Sequence, residues 1–171
     1  MWIFLSLLLF KYHMAKKCTL PNAKTIKTST KTFCAVDRGK TDDQFEAAEL
    51  CKQINAKLPL PLNDEENSAL WSPFKSGNKN QSFWLDITDP IPCLGKWEDS
   101  DGNKADYFSW SNYSSHEDYQ YPWATAYAET GKWIRSSGSK NVDVLCIQQL
   151  TGPSLKHSPT KPVSLSTNGT F

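Results

Sequence analysis

The amino-acid sequence predicts an α+β domain, because helical patterns lie early in the chain and strand patterns lie late. Two capped segments with helical spacing of apolar residues lie between residues 41 and 73. Short runs rich in aromatic and β-branched residues follow, at 82–87, 122–128 and 142–150. A chain of 171 residues is typical of one domain with tails. We assign that domain to residues 33–150.

The N-terminal segment has the pattern of a targeting sequence. An apolar run, MWIFLSLLLF, precedes Lys11 and is much shorter than the roughly 20 residues that a membrane helix needs. We interpret residues 1–15 as a signal peptide, cleaved after Ala15. A truncated anchor or a wrongly assigned start is the alternative. The expectation is a secreted, extracellular protein whose mature chain has no stable membrane insertion.

The segments on either side of the domain differ from it in composition. Residues 16–32 are rich in Lys and Thr without a clear period, which predicts a flexible lead-in. Residues 151–171 are rich in Ser, Thr and Pro and predict a disordered tail, suited to O-linked sugars. Three N-glycosylation sequons begin at Asn80, Asn112 and Asn168.

Two helices are predicted from capping residues and spacing. Thr41 and Gln44 form a capping-box pattern at the start of the first helix. Its expected buried stripe consists of Phe45, Ala48, Cys51 and Ile54. Pro59 marks its end. The second helix is expected to begin after Asn63, with Glu66 three residues on, and to end at Pro73.

The stretch GKWEDSDGNKADYFSW, residues 95–110, predicts a hairpin. Asp101-Gly102 is a strong turn signal, and Trp97 and Trp110 suit strands on either side of it. The spacing of Asp99, Asp101 and Asn103 resembles the start of an EF-hand loop. That interpretation fails, because an EF-hand needs glycine at position six and glutamate at position twelve.

Composition excludes several classes of function. A net charge of +1 gives no electrostatic case for a nucleic-acid partner. Five cysteines without a C-x-x-C pair are typical of a disulfide-bearing secreted domain rather than a zinc site. The sequence contains no G-x-S-x-G, H-E-x-x-H or P-loop motif. We therefore expect no enzyme activity.

Seven motifs in register over residues 33–150 resemble the C-type lectin-like domain family. The resemblance implies the family fold, with two helices, small antiparallel sheets and a long loop region. It also implies that the core scaffold includes Trp97, Asp101, Gly102, Tyr107 and Trp110. The motifs are FC (33–34), FEAAELC (45–51), AKLPLPLNDEEN (56–67), FWLDIT (83–88), WEDSDGNKADYFSW (97–110) and GKWIR (131–135), with VLCIQ (144–148) at the closing cysteine.

In lectins of this family, a calcium ion held by carboxylate and amide oxygens joins the protein to sugar. In this chain the Glu-Pro-Asn-type triplet is absent, and Ile134 and Arg135 stand where the family has Asn-Asp. Calcium requires about six to eight oxygen ligands. We therefore expect no cofactor and no metal at the usual sugar site.

The resemblance also implies a cysteine pattern. Cys51 and Cys146 match the pair that ties the first helix to the last strand, and Cys18 and Cys34 are candidates for the N-terminal bridge of long-form members. The second family bridge falls near Trp123 and Gly138 and is therefore lost. Cys93 has no family partner, so we expect it to be unpaired or to bridge two chains.

The loop after Trp110 contains most of the candidate ligand-binding residues. They are Tyr113, His116, Glu117, Asp118 and Tyr119, to which Arg135 is added. The tyrosines either stack on a ligand or pack internally, and the charged cluster either binds a ligand or is solvated. Arg135 either pairs with an acidic ligand or with Glu117 or Glu129. Trp123 and Tyr127 are expected to fill the core in place of the missing bridge.

Two classes of function remain. The first is a secreted module that binds carbohydrate without the usual calcium site. The second is a module on the same scaffold that binds an extracellular protein and has lost sugar binding.

Overall fold

The helices and strands follow the predicted order. The computed structural model describes residues 17–91, 94–112, 121–138 and 141–151. The elements are β1 (Lys24–Lys27), β2 (Thr32–Thr41), α1 (Gln44–Lys52), α2 (Asp64–Trp71), a 3-10 turn (Ser72–Phe74), β3 (Ser82–Thr88), β4 (Trp123–Tyr127), β5 (Trp133–Ser136) and β6 (Val142–Thr151). The α+β class predicted from the sequence is confirmed.

The described strands form one mixed sheet in the order β1-β2-β6-β3-β4-β5. Strands β2 and β6 are the long central pair and run antiparallel, whereas β3 and β6 are parallel. The last of the described strands, β6, therefore lies at the centre of the sheet. This arrangement places β3 and β5 in the same sheet as β2, although they are distant from β2 in the sequence.

Part of the segment 16–32 is a strand rather than a flexible lead-in. Strand β1 pairs antiparallel with β2, with Ile26 opposite Phe33. Both side chains are buried, and a disulfide joins Cys18 to Cys34. The low hydrophobicity of the segment concealed this strand, because one buried isoleucine and one disulfide hold it on the sheet.

Helix α1 differs from its prediction at the cap and in its buried face. The cap is Asp43, whose Oδ1 accepts a hydrogen bond from the backbone N–H of Phe45 at 2.6 Å. Thr41 instead accepts a hydrogen bond from Trp84 Nε1 in the core. Gln44, Ala47 and Cys51 face inward, while Phe45 is 65% exposed. The buried face of α1 therefore differs from the predicted one, because the side chain of Gln44 turns inward and donates hydrogen bonds to backbone carbonyls of β3.

Helix α2 begins as predicted. The side chain of Asn63 accepts a hydrogen bond from Glu66 N at 2.9 Å. Glu66 is buried and forms an ion pair with buried Lys31 at 2.6 Å. The pair connects the start of α2 to the turn between β1 and β2.

Two clusters of apolar side chains form the core. One lies around Trp71, Phe83 and Trp133, and the indole N–H groups of both tryptophans donate to Asn67 Oδ1. The other contains Trp84 and the disulfide between Cys51 and Cys146. That disulfide attaches α1 to β6, as the resemblance implied.

The predicted hairpin is present, with its turn displaced by one residue. Glu98 pairs with Lys104, and Gly102 N donates to Asp99 O at 3.0 Å. Ser100 and Asp101 are therefore the central turn residues. Gly102 follows them with φ of 79°, a left-handed conformation that glycine adopts without steric cost.

Candidate functional site

Arg135 lies buried at the base of the loop region. Strand β5 places it two residues after Trp133, and only 9% of its side chain is exposed. Its Nη1 lies 3.5 Å from Asp89 Oδ2 and donates a 3.3 Å hydrogen bond to the backbone oxygen of Tyr121. Its guanidinium carbon lies 4.7 Å from the centre of the Trp97 ring.

Asp89 connects three segments at the same place. Its side chain is fully buried, and its Oδ2 also accepts a hydrogen bond from Gly95 N at 3.0 Å. Its backbone N–H donates to Pro122 O at 2.8 Å. Among the described residues, Asp89 Oδ1 has no hydrogen-bond partner. The ion pair with Arg135 thus fixes the chain after β3 and the chain before β4 on β5.

The structure gives Arg135 a partner that the sequence does not predict. The sequence predicts that Arg135 pairs with an acidic ligand or with Glu117 or Glu129, and Glu117 lies outside the described residues. In the structure the guanidinium contacts Asp89, a backbone oxygen and an indole face, and it has little exposed surface for a ligand. The reason is that a buried carboxylate requires a nearby cation.

The residues at this place do not fit the calcium ion of the family. Ile134 offers no oxygen ligand, and the Arg135 guanidinium already supplies a positive charge to Asp89. Within the described ranges, no group of three or more His, Cys, Asp or Glu side chains is arranged to hold a metal ion. A second cation beside Arg135 would meet electrostatic repulsion.

Several predicted residues lie outside the described residues. They are Tyr113, His116, Glu117, Asp118 and Tyr119 of the loop, together with Cys93 and Asn168. The other two glycosylation candidates, Asn80 and Asn112, are exposed. Asn80 lies in the loop before β3.

Trp123 and Gly138 meet where the resemblance placed the lost disulfide. A Cβ atom built on Gly138 would lie 2.3 Å from Cζ3 of Trp123. Trp123 also packs edge-to-face on Trp84, with ring centres 6.1 Å apart. Trp123 therefore contributes to the packing as predicted, although its side chain is partly exposed.

A second feature, which sequence reasoning missed, is an open groove beside the hairpin. We call it the acidic groove. It consists of two adjoining cavities of about 390 and 280 Å³ that share Leu60, Leu62, Asp99 and Asn103. One wall is the segment 57–62, which is fixed by hydrogen bonds from Asp86 N to Pro59 O and between Lys57 and Ile147. The opposite wall is the hairpin turn.

The charges of the acidic groove are unevenly paired. Its three lysines each have an acidic partner, in the pairs Lys31–Glu66, Lys57–Asp101 and Lys104–Asp106. Two further carboxylates line the groove, Asp86 and Asp99. Neither forms an ion pair with a described residue within 4.0 Å.

The pKa of the Asp86 carboxyl is raised, and burial is the main cause. Burial disfavours the charged form of the carboxylate and so raises its pKa, and the nearby charge of Asp99 raises it further. A 2.9 Å hydrogen bond from Ser100 Oγ and the positive charge of Lys57 oppose that rise. For Lys57, burial alone would lower the pKa of the amine. The hydrogen bond and charge of Asp101, together with the charges of Asp86 and Asp99, outweigh burial, so the pKa is raised. Among the described residues that line the groove, five carboxylates stand against three lysines.

The sequence carries a partial signal for the groove. Alternating leucines and prolines in LPLPL precede α2, and the acid-rich turn lies beyond β3. Neither pattern indicates that the two segments face each other, because their contact depends on how β3 and β6 pair.

The family model described as the lectin C-type domain matches residues 40–148. The match includes both helices and strands β3, β4 and β5, and it ends within β6. A comparison with curated protein sequences finds no match.

Solved structures give the same fold. The carbohydrate-recognition domain of the mouse scavenger receptor C-type lectin is 18% identical with a TM-score of 0.61, covering 78% of this chain and 98% of that one. Human lithostathine is 20% identical with a TM-score of 0.59, covering 72% and 86%. The C-type lectin CEL-I of Cucumaria echinata is 14% identical with a TM-score of 0.59, covering 75% and 96%.

None of the described helices combines the length and apolar character required to cross a membrane.

Proposed function

Since the chain belongs to the C-type lectin domain family, we propose that it is an extracellular recognition module that binds its ligand without the family's calcium ion. The observation that carries this proposal is the buried ion pair between Arg135 and Asp89. The guanidinium of Arg135 is fixed beside the carboxylate of Asp89, between the chain after β3 and strand β5. The chain after β3 and the chain before β4 then have a support that does not depend on dissolved metal.

Carbohydrate is the first ligand class. The family is a lectin family, and one matched structure is named a carbohydrate-recognition domain. Binding without calcium would rely on direct hydrogen bonds and aromatic stacking. Tyr113, His116, Glu117, Asp118 and Tyr119 are the loop residues that we propose for this role.

An extracellular protein is the second ligand class. The acidic groove favours it, because its cavities offer aliphatic side chains beside unpaired carboxylates. Protein interfaces combine such apolar centres with polar rims.

The proposed location follows from the cysteines. Two disulfides, Cys18–Cys34 and Cys51–Cys146, join distant parts of the chain. Such bonds persist in oxidising, extracellular environments. N-glycans at the exposed Asn80 and Asn112 would be compatible with this location.

A glycan array read with calcium and again with chelator tests the proposal. We expect any bound glycan to be retained in chelator. The double variant Glu117→Gln, Asp118→Asn tests the charged loop residues on the same array. Loss of all glycan binding in chelator would contradict the proposal. Absence of glycan binding under both conditions would favour the protein ligand.

A further inference from the structure

We propose that the acidic groove binds a basic peptide segment of a partner protein, in which cationic side chains alternate with aliphatic ones. The inference rests on the proposed recognition function and names the partner class for a site outside the loop region. It is carried by the charge, the apolar surface and the shape of the groove.

The charge of the groove selects a cationic ligand. Lys31, Lys57 and Lys104 are each engaged by one acid, which leaves Asp86 and Asp99 without an ion-pair partner among the described residues. The oxygens of Asp99 accept hydrogen bonds from the backbone of Asp101 and from Asn103. Asp86 accepts one from Ser100. Both carboxylates therefore line the cavity without a cationic partner within 4.0 Å among the described residues.

The apolar surface of the groove selects aliphatic groups. Leu60 and Leu62 line both cavities, and Leu62 is 39% exposed. Covering this hydrocarbon removes it from water and stabilises the complex. The occupant must therefore carry both a cation and an aliphatic group.

An extended peptide meets both demands. Successive side chains of an extended chain point in opposite directions, so neighbouring residues can face opposite walls of the groove. A lysine or arginine can then approach Asp86 beside the hairpin turn, while the next residue covers Leu62 on the other wall. Among the described residues, the aromatic lining consists of buried Phe33 and half-buried Tyr107, whose hydroxyl donates to Asp64. A sugar would have little aromatic face on which to stack.

Fluorescence anisotropy with synthetic peptides tests the inference. The probe is a labelled eight-residue peptide of alternating Leu and Lys, and the comparison peptide alternates Leu and Glu. We expect binding of the basic peptide, no binding of the acidic one, and affinity that weakens with added salt. Both titrations are made on the full chain in chelator.

Two variants locate the site. Asp86→Asn removes one charge with little change of shape and should weaken the basic peptide about five- to tenfold. Leu62→Asn changes an exposed apolar side chain and should weaken it about threefold or more. The matched controls are Glu46→Gln, an exposed acid on α1, and Ile91→Asn, an apolar residue that is 60% exposed. Both should leave the affinity unchanged.

Equal binding of the acidic and basic peptides would overturn the inference. So would unchanged affinity of Asp86→Asn and Leu62→Asn when circular dichroism shows that both variants are folded. Because the glycan array is read independently, failure of the peptide experiment leaves calcium-independent recognition intact.

Discussion

The ring of Trp123 fills the space in front of Gly138, so that a Cβ atom added to the glycine would lie 2.3 Å from the indole. Gly138 also has φ of 77°, a conformation that L-residues rarely adopt. The resemblance to the family places the second loop disulfide at these two positions. Here a large ring against a glycine joins β4 to the chain after β5.

Gly138→Ala should therefore destabilise the protein more than an ordinary glycine substitution. The matched control is Gly77→Ala, because Gly77 has φ of 79° but no atom within 4 Å of an added Cβ. The control should lose about 1–2 kcal/mol from left-handed strain alone. We expect a further loss of about 1–3 kcal/mol for Gly138→Ala from overpacking. Urea unfolding measures the loss of stability in both variants. Equal losses would contradict the prediction, because they would show that the Trp123 ring moves aside at no cost.

Local signals in the sequence explain which elements were predicted well. Asn63 caps α2 as expected, and β3 and β6 begin at the residues given by their aromatic and β-branched runs. At α1 the prediction failed, because Thr41 is bonded to Trp84 and Asp43 serves as the cap. Thr41 and Asp43 are both residue types that cap helices well, so the sequence alone does not decide between them. Tertiary packing does, because it engages Thr41 elsewhere.

The buried ion pair between Lys31 and Glu66 should be important for stability. Lys31→Met would leave Glu66 buried without a cation, which should lower the free energy of unfolding by about 3–5 kcal/mol. Lys52→Met is the control, because Lys52 forms an exposed pair with Glu49 and should cost less than about 1 kcal/mol. Chemical denaturation compares the two variants. A loss for Lys31→Met no larger than that of its control would contradict this account.

The disulfide between Cys51 and Cys146 should contribute strongly to stability. It closes a loop with a sequence separation of 95 residues, which the chain-entropy model values at about 4–5 kcal/mol. The double variant Cys51→Ala, Cys146→Ala should show this loss in urea unfolding. Non-reducing peptide mapping of the unmodified protein should recover the linked peptides, and free thiols at both positions would refute the pairing.

The raised pKa of Asp86 predicts a specific dependence of stability on pH. Because burial raises this pKa above its ordinary value of 3.8, the folded protein holds the proton more tightly than the unfolded chain. The contribution of Asp86 to stability therefore falls as pH rises from 3.8 through its folded-state pKa. Asp86→Asn should be at least as stable as the unmodified protein at about pH 7 and lose that advantage at about pH 4.

Ser100→Ala should act in the opposite direction. It removes the hydrogen bond to ionised Asp86, so it should lower stability more at neutral than at acidic pH. Urea unfolding at a series of pH values measures both variants. A loss of stability for Asp86→Asn at neutral pH would contradict the predicted sign.

The candidate sites were predictable only in part. The replacement of the Asn-Asp pair by Ile134 and Arg135 is visible in the sequence and predicts an altered calcium site. The partner of Arg135 was not predictable, since Asp89 reads as a residue of an exposed Asp-Pro turn. The acidic groove likewise depends on two segments that the sheet brings together.

Calorimetric titration of calcium into the full chain tests the central claim most directly. With Arg135 fixed beside Asp89, we predict no binding heat in the micromolar range and at most a weak site of about millimolar affinity. The variant Glu117→Gln, Asp118→Asn should behave identically. A micromolar calcium site that disappears in this variant would contradict the account and restore the family's metal-dependent mechanism.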